Sequence, residues 1–193
     1  MLRRLAGRVY LGLVHPVVRQ LSGLLTTRQK ARTLIRYGRR HGTSTLVETG
    51  TYQGETVAAC LQHFKRIYTV ELDQALHGAA RDRFADEPTV TVIHGDSYTA
   101  LTRLASEVAE PALFWLDAHY SFGETAKGPH DPPLPWELRA ILERGKPDVI
   151  LIDDARHMGV LPDYPSIEEI RQLVGERASS FEVKRDIIRV TLA

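Results

Sequence analysis

Apolar runs in this chain repeatedly finish on carboxylates. Thr-Leu-Val-Glu-Thr spans 45–49, Ile-Tyr-Thr-Val-Glu spans 67–71, Leu-Phe-Trp-Leu-Asp spans 113–117, and Val-Ile-Leu-Ile-Asp-Asp spans 149–154. A buried strand that ends on an acid either meets water there or delivers the acid to a ligand. Glu71 lies 21 residues after Gly50, a spacing at which a carboxylate after a glycine-bearing turn accepts both hydroxyls of a ribose. Asp117 is followed by Ala118, His119 and Tyr120, so an imidazole and a phenol stand directly past the acid. If the runs ending at Asp117 and at Asp153-Asp154 are neighbours, three carboxylates meet at one edge. Like charges raise one another's pKa, and a divalent cation removes that cost. Oxygen-only ligands suit Mg²⁺, Ca²⁺ or Mn²⁺. The structural alternative is that Asp153 or Asp154 caps the loop that follows.

The elements that must position these acids are regular. Strand patterns at 45–49, 67–71, 90–94, 112–116 and 149–152 alternate with helical patterns near 55–64, 74–85, 97–107, 135–144 and 166–175. Such alternation implies βαβ units and a parallel sheet. The chain then changes rhythm. Phe181–Arg185, Asp186 and Ile187–Leu192 leave no room for a helix, so an antiparallel hairpin closes the sheet. The expected fold is α/β: a Rossmann-like, doubly wound, seven-stranded, mostly parallel sheet, preceded by an N-terminal helical arm. In such sheets ligands bind beyond the carboxyl ends of the strands.

Composition fits one soluble domain. The 193 residues are 43% hydrophobic and 25% charged, with no apolar run of the roughly 20 residues that a membrane span needs. The lone Cys60 forms no internal disulfide, which fits a reducing, cytoplasmic interior. Charge divides the chain into an arm, 1–44, and a body, 45–193. Residues 1–47 carry ten Arg or Lys and no acid, whereas 48–193 carry fifteen basic and twenty-four acidic residues. Within the arm, Leu2, Leu5, Ala6, Val9, Tyr10, Leu13, Val14, Val17, Val18 and Leu21 recur in steps that mark one helical face. That face suits packing on the body or on a second copy. A membrane-surface helix and a cleaved transit peptide are the sharper readings of residues 1–25. A second helix is expected from Thr27 to His41, ending at Gly42.

The turns narrow the ligand. Gly50 and Gly54 flank Thr51-Tyr52-Gln53, so the loop is G-x-x-x-G and lacks the middle glycine of a pyrophosphate-binding loop. Glu48 and Glu55 beside it would repel phosphate; a nucleoside with a cationic or zwitterionic tail suits it better. Asp96, in His94-Gly95-Asp96-Ser97, could accept from an adenine amino group and also cap the next helix.

These stretches, ETGTYQGET, TVELD and HGDS, in this order, resemble the cofactor loops of class I S-adenosylmethionine-dependent methyltransferases, most closely the catechol-type, metal-dependent small-molecule O-methyltransferases. The resemblance covers residues 45–193. It implies S-adenosylmethionine as cofactor: Glu48, Gly50, Tyr52 and Gly54 at the methionine end, Glu71 on the ribose, Asp96 and Ser97 by the adenine, and Asp117 at the reaction edge. It implies Mg²⁺, or Ca²⁺ or Mn²⁺, at Asp117, Asp153 and Asp154, gripping two oxygens of a hydroxylated acceptor. The sequence departs from the pattern where a lysine base is expected three residues past Asp117, since Tyr120 stands there. His119, with an ordinary pKa near ~6.5, takes the base role or becomes a fourth ligand, with Tyr120 beside it.

Segment 121–135, rich in glycine and proline, is long enough to be a lid, with His130 and Trp136 as substrate contacts; Arg156 and His157 could meet an anionic acceptor. Ser166 is expected to cap the helix after the second proline-rich segment. Asp131-Pro132-Pro133 resembles the D-P-P-Y motif of amino-methylating DNA enzymes, but that motif belongs at the end of the fourth strand, which Asp117 occupies. Two other functional readings stay open. The basic arm would serve a nucleic-acid methyltransferase; a non-methyltransferase on the same scaffold would be an inactive S-adenosylmethionine-binding protein or a metal-dependent oxygenase, the latter with a triad of His119, His157 and Asp117.

Overall fold

The computed structural model describes residues 25–117, 132–161 and 164–193. Five strands run parallel: β1 (Thr45–Thr49), β2 (Arg66–Glu71), β3 (Val90–His94), β4 (Leu113–Leu116) and β5 (Val149–Ile152). Strands β1, β4 and β5 are buried along their whole length. This is why they read as unbroken apolar runs rather than alternating ones. Helices α2 (Glu55–Cys60), α3 (Gln74–Arg83) and α4 (Ser97–Glu107) follow the first three strands, and α5 (Leu134–Glu143) precedes β5. A single turn of 3₁₀-helix at Ala155–His157 and α6 (Ile167–Val174) lead to β6 (Ala178–Lys184) and β7 (Ile187–Leu192). The turn between those last two strands is Arg185-Asp186, both at positive φ (50° and 61°). That conformation matches the right-handed twist of a two-residue hairpin.

The strand order is β3-β2-β1-β4-β5-β7-β6, with β7 antiparallel to β5. The order reverses between β1 and β4, which makes their carboxyl ends the place where a ligand crevice opens. Helix α2 stops at Cys60, short of the 55–64 expected from pattern. The chain turns there and delivers Phe64 into the core beside Gly38; a Cβ on Gly38 would lie 2.8 Å from the Phe64 ring. Ser166 does cap α6, with Glu169 completing a capping box.

Helix α1 (Thr27–His41) has the boundaries its sequence predicts: Thr26 and Gln29 form a capping box, and Gly42 ends it in the left-handed conformation at φ 67°. Ala31, Leu34, Tyr37 and Gly38 are buried, while Arg28, Arg32, Arg36, Arg39 and Arg40 are exposed. The helix lies on β4 and β5 and against α2. Complete burial of a side chain such as Leu34 contributes about 1.5–3 kcal/mol, so the docking of α1 is part of the core. Residues 1–24 lie outside the described residues, and among those described no helix is long and apolar enough to cross a membrane.

The sheet separates two apolar layers. Val47, Phe114, Leu116, Ile150 and Ile152 pack with residues of α4, α5 and α6 on one face. Leu46, Leu113, Trp115, Val149 and Leu151 pack with α1 and α2 on the other. Side chains alternate along a strand. The residues just past β4 and β5, Asp117 and Asp153, are therefore in phase with Trp115 and Leu151 and belong to the face that carries α1.

Candidate functional site

Two groups of carboxylates stand at the carboxyl edge of the sheet. The first follows β1, β2 and β3. Past β1, the amides of Gly50 and Thr51 both donate to Val70 O, at 3.0 and 3.1 Å, so the turn is stitched to β2. Gly50, Tyr52 and Gly54 all have positive φ. At Gly54 the requirement is twofold: its φ is 71°, and a Cβ would lie 2.7 Å from the Phe84 ring. The folded turn aims the Tyr52 amide at Glu71 Oε2, 2.7 Å away, and Glu71 Oε1 accepts from the Asp73 amide at 2.9 Å. Glu71 is thus a buried carboxylate locked in one rotamer by two backbone donors. Because each carboxylate oxygen has more than one acceptor site, it can still receive hydroxyls.

Glu48 lies deeper, 2% exposed. Thr69 donates to its Oε2 at 2.6 Å, and Thr69 in turn shares a 2.6 Å hydrogen bond with Thr51. Burial pushes the Glu48 carboxyl up to about 8, and the Thr69 hydrogen bond only partly offsets that. It is largely protonated at neutral pH and acts as a neutral polar group beneath the turn. Past β3, Asp96 caps α4 by accepting from the Thr99 amide at 3.0 Å, and Ser97 is buried at the first turn. Asp73 likewise caps α3. Tyr52 remains 43% exposed over the turn.

The second group follows β4 and β5. These strands pair with Leu116 opposite Ile152, and the Asp153 amide donates to Leu116 O. Asp117, Asp153 and Asp154 each place a carboxylate oxygen within 4.8 Å of the others. The neighbouring-strand arrangement inferred from sequence is therefore real. Asp154 sits at φ 54°, a left-handed conformation that aspartate tolerates better than most residues. Arg156 holds it at 2.7 Å and also pairs with Asp186 in the hairpin turn. His157 Nδ1 lies 3.8 Å from the other Asp154 oxygen.

One contributor to this group comes from outside the strand ends. Lys30 of α1 reaches across the face and pairs with Asp153, with Asp117 Oδ2 3.4 Å from its Nζ. Its ammonium lies 5.8 Å from the centroid of the Trp115 ring. Burial would lower the pKa of Lys30, but Asp117, Asp153 and Asp154 outweigh it and the lysine stays firmly protonated. Asp153, 1% exposed on its side chain, is pushed upward by burial and by Asp117 while Lys30 opposes the shift. Tuned, interacting groups of this kind concentrate at functional sites.

Beside the acidic edge, on the opposite face of the sheet, Leu116, Ile152, Leu134, Met158 and Tyr164 line a narrow cleft with Glu137 at its wall. Trp136 is 40% exposed and stacks at a tilt on Tyr98, away from that lining. His119, Tyr120, His130 and most of segment 121–135 lie outside the described residues.

No family model matches the sequence, and no curated protein does. Solved structures do match the fold. The O-methyltransferase TomG from Streptomyces achromogenes, involved in tomaymycin synthesis and solved with SAM, aligns with a TM-score of 0.61 at 17% identity, covering 85% of this chain and 79% of that one. The Bacillus cereus O-methyltransferase, solved with SAH, gives 0.62 at 18% identity over 85% and 80% of the two chains. The methyltransferase PaMTH1 of Podospora anserina, bound to SAH, gives 0.61 at 18% over 88% and 80%. The chain has the Rossmann-like fold of class I methyltransferases, hairpin included.

Proposed function

We propose that this protein is an S-adenosylmethionine-dependent methyltransferase that methylates an oxygen of a small hydroxylated acceptor. The observation that carries the reading is Glu71. It is a buried carboxylate fixed by the amides of Tyr52 and Asp73 at the end of β2, beside a turn held at positive φ, and a carboxylate at the end of the second strand is suited to accept ribose hydroxyls. Protonated Glu48 lies below the turn and adds no negative charge against the cofactor's carboxylate. Asp96 and Ser97 stand one strand further along, where an adenine would lie. O-methyltransferases solved with SAM or SAH share the fold.

The chemistry asks little of the protein. The acceptor oxygen attacks the sulfonium methyl group, the carbon–sulfur bond breaks as the carbon–oxygen bond forms, and S-adenosylhomocysteine leaves. The hydroxyl proton passes to a base, for which His119, two residues past Asp117, is our assignment, with Tyr120 beside it. The rest is alignment in a site closed to water.

A second, finer reading is metal assistance, favoured by three carboxylates within 4.8 Å of one another. Oxygen donors suit a hard divalent cation, but Lys30 already pairs with two of the three acids, so this reading holds only if an ion can displace that ammonium. Asp117, Asp153 and Asp154 would hold it, and when bound it would lower the pKa of the acceptor hydroxyl.

Calorimetric titration with S-adenosylmethionine and S-adenosylhomocysteine tests the main reading. Binding of both at micromolar concentrations is expected; binding of neither would sink it. Methyl transfer that persists unchanged in EDTA would remove the metal reading and leave the rest.

A further inference from the structure

Lys30 is the residue of the acidic edge that no strand end supplies. Every arginine of α1 points to solvent, yet the lysine of the same helix is turned inward with its side chain 18% exposed. The helix cannot easily roll to release it. Leu34, Tyr37 and Gly38, one and two turns further along the same stripe, are packed in the core, and Gly38 is closed against Phe64. The ammonium therefore arrives between Asp117 and Asp153 by construction of the fold, over the Trp115 ring.

We propose that Lys30 is the resident cation of this edge, occupying the place between Asp117 and Asp153 that a divalent ion would need, so that the two cations exclude each other. A hard divalent ion draws carboxylate oxygens to about 2.0–2.6 Å, which an ammonium already bridging both acids prevents. Binding the ion would require Lys30 to swing out, losing both of its pairings. Arg156 holds Asp154 from the other side, so among the described residues Lys30 and Arg156 are the two cations paired with these acids, with the His157 ring 3.8 Å from Asp154. In functional terms, which rest on the methyltransferase reading above, the wild-type reaction runs without added metal, and Lys30 is a positioning residue for Asp117 at the reaction edge.

The test is Mn²⁺ alone, titrated into the full chain and followed by electron paramagnetic resonance of the free ion, without cofactor. Wild-type protein should bind more weakly than roughly 1 mM, whereas Lys30→Met should bind about tenfold tighter or better. Lys30→Arg, which keeps the charge, should stay weak. Tight Mn²⁺ binding by wild type that Lys30→Met leaves unchanged would overturn the proposal, and so would a Lys30→Met protein that still binds no Mn²⁺. Should Lys30→Met not fold, wild type alone decides. Its melting temperature should rise by no more than about a degree in 1 mM Mg²⁺, which at most half-saturates so weak a site, and a rise of several degrees refutes exclusion. A failed S-adenosylmethionine titration would remove the proposed activity without touching the Mn²⁺ comparison.

Discussion

The two carboxylate groups at the sheet edge solve the same electrostatic problem in opposite ways. After β1 and β2, each acid is settled by its neighbours: Glu71 by the amides of Tyr52 and Asp73, Glu48 by Thr69 and a retained proton. After β4 and β5, three acids crowd together and are settled from a distance. Lys30 is 87 residues from Asp117, and Arg156 links Asp154 to Asp186 of the final hairpin. The first group is a local device and keeps its shape wherever its turn folds. The second exists only when α1, β5 and the hairpin are all in place. A ligand at the first group meets a preset carboxylate; one at the second must negotiate with ion pairs already made.

Removing partners should expose this difference. The largest effect is expected at Asp153. Asp153→Ala leaves Lys30 buried against a weakened site and should cost about 3–5 kcal/mol of stability, read from urea unfolding. Pairing it with Lys30→Met should restore most of the loss, and a double variant as unstable as the single one would show that the ion pair is not what Asp153 is for. Next comes Glu71. On the proposed reading Glu71 would accept two hydroxyls of the cofactor's ribose, worth about 2–4 kcal/mol, so with Glu71→Ala S-adenosylmethionine should bind some 30- to 1000-fold more weakly by calorimetry. Stability should change far less than at Asp153; the reverse ranking would break the contrast between a local and a distributed group.

The third effect depends on pH. The folded-state pKa of Glu48 is raised from 4.5 to about 8, so the folded chain keeps a proton that the unfolded chain releases. Its contribution is full below pH 4.5 and is lost as the pH climbs to about 8. Glu48→Gln, which needs no proton, should match wild type near pH 4.5 and exceed it at pH 8 by on the order of 4 kcal/mol. Equal urea midpoints at both pH values would count against a protonated Glu48. The smallest effect is expected at Asp96. Asparagine caps nearly as well as aspartate, so Asp96→Asn should alter stability by less than about 0.5 kcal/mol; a larger drop would mean that its charge, not its cap, is what matters.

The same contrast decides what could be read from sequence. Strands β1, β3 and β5, helices α1 and α4 and the closing hairpin follow from hydrophobic period, caps and a turn, which are all local. The Glu71 assignment follows from a spacing within one βα unit. The meeting of Asp117 with Asp153 and Asp154 needs only the inference that β4 and β5 are neighbours, which the βαβ rhythm supplies. Lys30 could not be placed in the same manner, because its partners are set by where α1 docks. A signal was nevertheless present. Lys30 is in helical phase with Leu34, Tyr37 and Gly38, so a charge sits on the buried stripe, and a charge there must meet an opposite charge inside the fold. Arg156 was legible as a loop cation but not as a brace, since its partner Asp186 lies 30 residues further along the chain, in the turn between β6 and β7.

The hairpin turn has one more consequence, for how the protein is made. The Ala155 amide donates to Asp186 O, the Arg156 amide donates to the Asp186 carboxylate, and the Arg156 guanidinium closes the loop. During translation Lys30 emerges early and Asp117 and Asp153 follow, yet the loop bearing Asp154 lacks its hydrogen bonds to Asp186 until that residue has left the ribosome. A nascent chain arrested before that point lacks the Asp186 brace, so the acidic half of the sheet edge is the last part of that edge to be completed.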